Sequence, residues 1–218
     1  MKKSLTATQR KRIYFTRLRA LAIAALVCSV VLAIAILVEC WLPGKASAGQ
    51  SDKVSAALRP SAASYPDYTG VLSAFGINVS VKASYKIFVR KFFGHFLPFT
   101  VLGFGFAFTF FLTVKPRFLY AMSSMLASAV VAALSEMLQL PIFTTGRAFS
   151  PADIGVDCFG AACGIAVASL VILVYAAIKK AVDKEDYTLL KQTLKDAPSI
   201  FTSTAKIAAA YDDSYKKV

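Results

Sequence analysis

Histidine occurs once in this sequence, at His95, and its four cysteines form no Cys-x-x-Cys pair. A multi-histidine zinc site within one chain is therefore excluded, and no disulfide framework is implied. Cys28 and Cys40 lie in one apolar stretch and Cys158 and Cys163 in another, where cysteine behaves as a small apolar residue. Charge is scarce as well. Only 17% of the residues are charged, 57% are hydrophobic, and the mean hydropathy is +0.60. An ordinary soluble domain needs a polar shell that this composition does not supply. Acidic residues are the scarcer sign, 12 against 25 basic, for a formal net charge of +13. Their distribution points away from nucleic acid. Lys2, Lys3, Arg10, Lys11, Arg12, Arg17 and Arg19 precede Ala20, and a second basic group follows Ile178. Basic flanks beside long apolar runs are the pattern of a membrane protein, with membrane lipids as its first partners.

What is present is a series of apolar runs. Residues 1–19 are basic, and an apolar stretch from Ala20 to Leu42 follows. At about 1.5 Å per residue such a run crosses a hydrocarbon core of about 30 Å. Ala46-Ser47-Ala48 resembles a signal-peptidase site, but the run is long for a signal peptide, so an uncleaved anchor is expected. Residues 43–84 read as an external linker, flexible over 45–64, and Phe75–Val81 alternates as a short strand or an interfacial segment would. Further spans are expected at Phe92–Val114, Phe118–Leu140 and Asp153–Ile178, with a basic turn at Lys115-Pro116-Arg117. Pro98 falls in the first two turns of its span, where proline costs least. Ser150-Pro151-Ala152-Asp153 reads as a helix start, with Ser150 as cap and Asp153 in the capping-box position. Residues 179–218 form a basic tail, with Tyr187, Leu190 and Leu194 at spacings that suit a surface helix. The expected fold is all-α: a polytopic membrane bundle of about four transmembrane helices. The basic segments place both termini in the cytoplasm and the 43–84 loop outside.

Ionisable residues inside a membrane span are costly and mark function by default. Because the spans run up and down, the start of the second, the end of the third and the start of the fourth meet at one face. Lys91, His95, Glu136, Gln139, Arg147, Ser150, Asp153 and Asp157 all lie at those ends or in the loop between them. Lys91 and His95 are four apart on one helix, as are Asp153 and Asp157, so each pair shares a face. Gly160 and Gly164 continue the aspartate stripe, at a spacing that lets helices approach closely. Three readings are open for this cluster: a satisfied structural network, a pocket for a ligand or headgroup, and a catalytic site. No serine or cysteine nucleophile has an evident neighbouring base, which leans against an enzyme. Three acids and one histidine are slender grounds for a metal, so neither a metal nor a cofactor is expected.

Two segments carry a resemblance to a known family. One is Arg90-Lys91-Phe92-Phe93-Gly94-His95-Phe96, continuing through Phe99 to Leu102-Gly103. The other is Glu136-x-x-Gln139, then Gly146-Arg147-x-x-Ser150-x-x-Asp153, then Asp157-x-x-Gly160-x-x-x-Gly164. With these residues the chain resembles the VanZ-like family over about residues 85–178. Many members carry asparagine where this chain has Asp157, which adds a negative charge here. The resemblance implies a bacterial cell-membrane protein. The family's name comes from a protein associated with resistance to teicoplanin, a glycopeptide that binds cell-wall precursors. By that resemblance the chain is expected to act in glycopeptide or lipoglycopeptide susceptibility, with a lipid headgroup, a lipid-linked precursor or the glycopeptide as ligand. In that reading Arg147 and Lys91 contact phosphate or carboxylate. The alternative is an intramembrane enzyme acting on a lipid-linked substrate, with His95 as acid or base.

Overall fold

Along the first apolar helix the buried residues are Phe15, Ala22, Ser29 and Ile36, a strict seven-residue spacing, followed by Cys40. Leu21, Val27, Val31, Ile34 and Val38 on the other faces are exposed, as side chains facing lipid are. A seven-residue stripe keeps one seam of a helix against a neighbour over its whole length. This helix is α1, Ala7–Trp41. The protein is described here from a computed structural model covering residues 7–42, 53, 57, 66–114, 119–146, 148–182, 184, 187–188 and 191–192. The Lys115–Arg117 turn, Arg147, most of the 45–64 linker and Leu190 and Leu194 of the tail lie outside these described residues.

A short helix α2, Thr69–Ser73, follows, and the chain then enters α3, Val81–Lys91. A π-helical turn, Phe92–Phe96, joins α3 without a break to α4, Leu97–Thr113. Two further helices complete the bundle: α5, Tyr120–Met137, and α6, Pro151–Val182. Among the described residues four helices, Ile13–Trp41, Ala83–Thr113, Tyr120–Met137 and Pro151–Val182, are long and apolar enough to cross a membrane. The chain is a multi-pass, all-helical membrane protein.

Central to the bundle is α4, which packs on α1, α5 and α6. On α5, Ser124, Ser128, Ala132 and Glu136 are buried every fourth residue, while Met122, Leu126, Val130 and Leu134 face outward at the same spacing. The small residues let α5 lie close to its neighbours, and the stripe ends on a carboxylate. Ser124 Oγ donates to its own helix at Tyr120 O, 2.6 Å, so that hydroxyl costs nothing in an apolar setting. The closest approach is between α4 and α6. A Cβ on Gly103 would strike the Ala161 carbonyl, one on Gly160 the Phe96 carbonyl, and one on Gly164 the Thr100 carbonyl. At the end away from the glycine-to-carbonyl contact at Phe96, Lys179 on α6 donates to Tyr14 OH on α1 at 3.4 Å, so the two basic flanks lie together.

Three local expectations change. The 75–81 alternation forms no strand among the described residues, since a lone extended segment has no partner to pair with. Instead Gly76, at φ 73°, closes α2. Ile77 N–H donates to Leu72 O at 3.0 Å and Gly76 N–H to Ser73 O at 2.9 Å, the left-handed helix stop that glycine favours. The second span begins about ten residues earlier than its apolar run, because α3 extends the same helix outward with Lys86 and Arg90 exposed. Pro98 therefore sits inside a long helix, where its missing N–H would break the ladder. The π turn just before it absorbs the defect: Leu97 N–H reaches back five residues to Phe92 O, and Thr100 Oγ1 donates to Phe96 O at 2.8 Å.

Candidate functional site

His95 lies within the π turn and Lys91 one turn before it, so both side chains face α6. There Asp153 and Asp157 occupy the first two turns, four residues apart. The two pairs interlock. Lys91 Nζ makes an ion pair with Asp153 Oδ1, and His95 Nε2 lies 3.4 Å from Asp153 Oδ2. His95 Nδ1 lies 3.1 Å from Asp157 Oδ1. The imidazole is thus held between two carboxylates through its two ring nitrogens.

Glu136 closes the cluster from α5. Its Oε1 accepts from Gln139 Nε2 at 3.0 Å, and its Oε2 accepts from the Ser150 backbone N–H at 2.9 Å. A carboxylate at a helix start complements the free N–H groups and positive end of α6. This revises the local capping reading. In a capping box, Asp153 would reach back to the Ser150 N–H, but Asp153 points to Lys91 and His95, and Glu136 from another helix takes that N–H. Pro151 holds the expected first helical position.

The first helix joins the cluster too. Gln139 Nε2 approaches Cys40 Sγ at 3.7 Å, and Thr144 Oγ1 donates to Leu42 O at 3.3 Å. Cys40 is read from sequence as a plain apolar residue. Its position in the last turn of an ascending helix is the signal that places it at this end. Arg147, expected beside Glu136, lies outside the described residues.

Burial sets the electrostatics. Glu136 and Asp157 are 0% exposed, Asp153 5%, Lys91 8% and Gln139 7%. Ionised, the three carboxylates carry three negative charges against one on Lys91. A protonated His95 leaves one negative charge unbalanced and a neutral His95 leaves two. Charges this deep in an apolar bundle must be paired or neutralised. Asp157 Oδ2 is buried and has no hydrogen-bond partner. His95, Glu136 and Asp157 each present one potential metal-ligand atom, all within 4.8 Å of one another.

All the described site residues fall inside a stretch, residues 21–173, that matches the VanZ/LLP1 family model. The chain belongs to that family. Curated proteins and solved structures gave no match. The VanZ/LLP1 match begins within α1 at residue 21, so most of the first helix and the loop belong to it, and it ends at residue 173, within the 85–178 stretch that carries the resemblance. That extent agrees with the packing, in which Cys40 and Leu42 touch the cluster.

An aromatic rim borders the charged cluster. Phe88, Phe92 and Phe96, one turn apart, stack at centroid distances of 5.9 and 5.3 Å. Tyr68, before α2, stacks on Phe88 at 4.0 Å, and Phe75, after α2, meets Phe159 of α6 at 5.8 Å. These contacts fasten the 66–80 segment across the same end of the bundle as the charged cluster.

Proposed function

We propose that this VanZ-family protein acts at the bacterial cell envelope, holding the polar headgroup of a lipid-linked envelope molecule at the clustered end of the bundle. Tolerance to teicoplanin or a related lipoglycopeptide is the phenotype this reading assigns. The observation that carries it is the concentration of buried charge at one end, beneath an aromatic rim, with the seams below built from apolar and small residues. That pattern suits a ligand that enters from one leaflet better than a solute that crosses. Arg90, exposed on α3, offers positive charge to a phosphate at the rim. Lys91 takes a different part from direct ligand contact, because its charge is committed to Asp153. Of the two cations read from sequence for the headgroup, Lys91 and Arg147, only Arg147 keeps that role.

The test is susceptibility of a sensitive Gram-positive host expressing the chain, with teicoplanin and vancomycin in parallel. A teicoplanin-selective shift that disappears in Glu136→Gln and Arg147→Ala, at matched membrane levels, is expected. Well-inserted wild-type protein with no shift would overturn the resistance reading. The enzymatic alternative draws on His95, whose contact with two carboxylates suits proton transfer, and turnover of a purified lipid-linked substrate would favour it.

In the proposed orientation both basic termini are cytoplasmic and the cluster faces the outer leaflet. Lys53→Cys, in a background without native cysteines, is then expected to react with an impermeant maleimide added to intact cells. Labelling only after permeabilisation would reverse the topology.

A further inference from the structure

We propose that His95, Glu136 and Asp157 together bind one divalent metal ion of the Zn2+ or Mn2+ kind. Neither the sequence pattern nor the family match assigns a metal here. The proposal does not depend on headgroup binding, and its test reads metal, not drug susceptibility.

Geometry comes first. The three ligand atoms lie within 4.8 Å of one another, and His95 Nδ1 and Asp157 Oδ1 are 3.1 Å apart. Around an ion about 2.1 Å from each ligand, neighbouring ligand atoms sit roughly 3.0–3.4 Å apart. The histidine–aspartate pair already has that spacing, and Glu136, from another helix, brings the third ligand atom within 4.8 Å of both.

His95 has a second carboxylate at its far nitrogen. Asp153 Oδ2 lies 3.4 Å from Nε2, and the same carboxylate is ion-paired through Oδ1 with Lys91. Nδ1 and Asp157 Oδ1 are hydrogen-bond partners at 3.1 Å, and an ion held by both would take the place of the proton between them, leaving Nε2–H turned toward Asp153. A carboxylate that fixes the far nitrogen of a histidine ligand is the arrangement that orients metal-binding imidazoles. Lys91 and Asp153 are positioning residues in this scheme.

Charge and valence point the same way. With neutral His95 the cluster carries two unbalanced negative charges on fully buried groups, and one divalent ion neutralises them. Asp157 Oδ2, buried and without a partner, has an unused lone pair beside the site. One imidazole with two carboxylates suits Zn2+ or Mn2+ better than Ca2+ or Cu+. The competing way to balance this charge is protonation, of His95 and of a carboxylate, and that makes the opposite prediction.

The experiment uses the full chain in detergent micelles or nanodiscs, stripped with chelator and dialysed. Zn2+ and Mn2+ are titrated separately, with bound metal measured by elemental analysis and unfolding followed thermally. One ion per chain and a higher unfolding midpoint on adding metal are expected for the wild type. Co2+ as a spectroscopic probe should give visible absorption bands that are lost in Asp157→Asn and His95→Gln and kept in Asp67→Asn, whose carboxylate lies outside the bundle. Folded, stripped wild-type protein that takes up no Zn2+ or Mn2+ and shows no thermal shift would overturn the proposal, whatever the variants do. Equal uptake by a folded Asp157→Asn protein would overturn it as well.

Discussion

Gly164→Leu is expected to abolish accumulation of folded protein in the membrane, and Gly164→Ala to lower its thermal midpoint measurably. A Cβ at this position would overlap the Thr100 carbonyl oxygen and come within 2.8 Å of the Phe104 backbone nitrogen. Both obstacles are backbone, so no rotamer change relieves them. The seam between α4 and α6 would have to open, and Gly160 against Phe96 and Gly103 against Ala161 would separate with it. Overpacking a close contact costs about 1–3 kcal/mol where side chains can adjust. Rigid backbone on both sides puts Gly164→Ala at the upper end of that range. For a chain of this size each kcal/mol moves the midpoint by about 2–4 °C, so a fall of several degrees is expected. Gly155→Ala is the comparison. That glycine is exposed on the same helix and a Cβ there meets nothing within 4 Å. Helix propensity favours alanine by about 0.8–1.0 kcal/mol, so the midpoint should hold or rise. Thermal unfolding of the three purified proteins in one detergent decides the matter, and equal midpoints for Gly164→Ala and Gly155→Ala would show that the seam is not close-packed.

The spans were legible in the sequence because apolar runs of this length, flanked by basic residues, match the thickness and charge of a bilayer. The meeting of His95, Glu136, Asp153 and Asp157 was legible too, since alternating helices force their like ends together. What periodicity could not supply is which atoms pair. Asp153 reads locally as a capping-box partner of Ser150, yet Lys91 and His95 on another helix hold it, and Glu136 takes the Ser150 N–H. Local and tertiary partners compete for one side chain, and sequence spacing reports only the local ones. The stripe on α1 was hidden for another reason. Phe15, Ala22, Ser29 and Ile36 stand in a run so uniformly apolar that the buried face has no polar face for contrast. The π turn was unreadable as a span boundary because proline only signals that a backbone bond is missing. Whether the helix stops or rearranges depends on what packs beside it, here Gly160 of α6 against the Phe96 carbonyl.

Lys91→Met should destabilise the protein more than any other single change at the cluster that conserves side-chain volume. Lys91 and Asp153 are both nearly buried and directly ion-paired. Without the ammonium, Asp153 keeps only the contact to His95 Nε2 at 3.4 Å, and three carboxylates share one imidazole. Removing one partner of a buried pair typically costs about 3–5 kcal/mol, because the other charge is left without compensation. At about 2–4 °C per kcal/mol the thermal midpoint should fall by roughly 6–20 °C. The methionine fills the space of the lysine stem, so lost packing contributes little. Adding Asp153→Leu to Lys91→Met should recover most of this loss, since an apolar pair of similar volume replaces a buried ion pair at small cost. Asp153→Leu alone strands the lysine instead and should fall nearly as far as Lys91→Met. The non-additivity of the two single changes measures the pair directly. Additive losses in the double variant would mean that Lys91 and Asp153 stabilise the bundle independently. The chain of contacts from Lys91 through Asp153 to His95 would then lose its energetic support, and Asp153 would not be positioning His95.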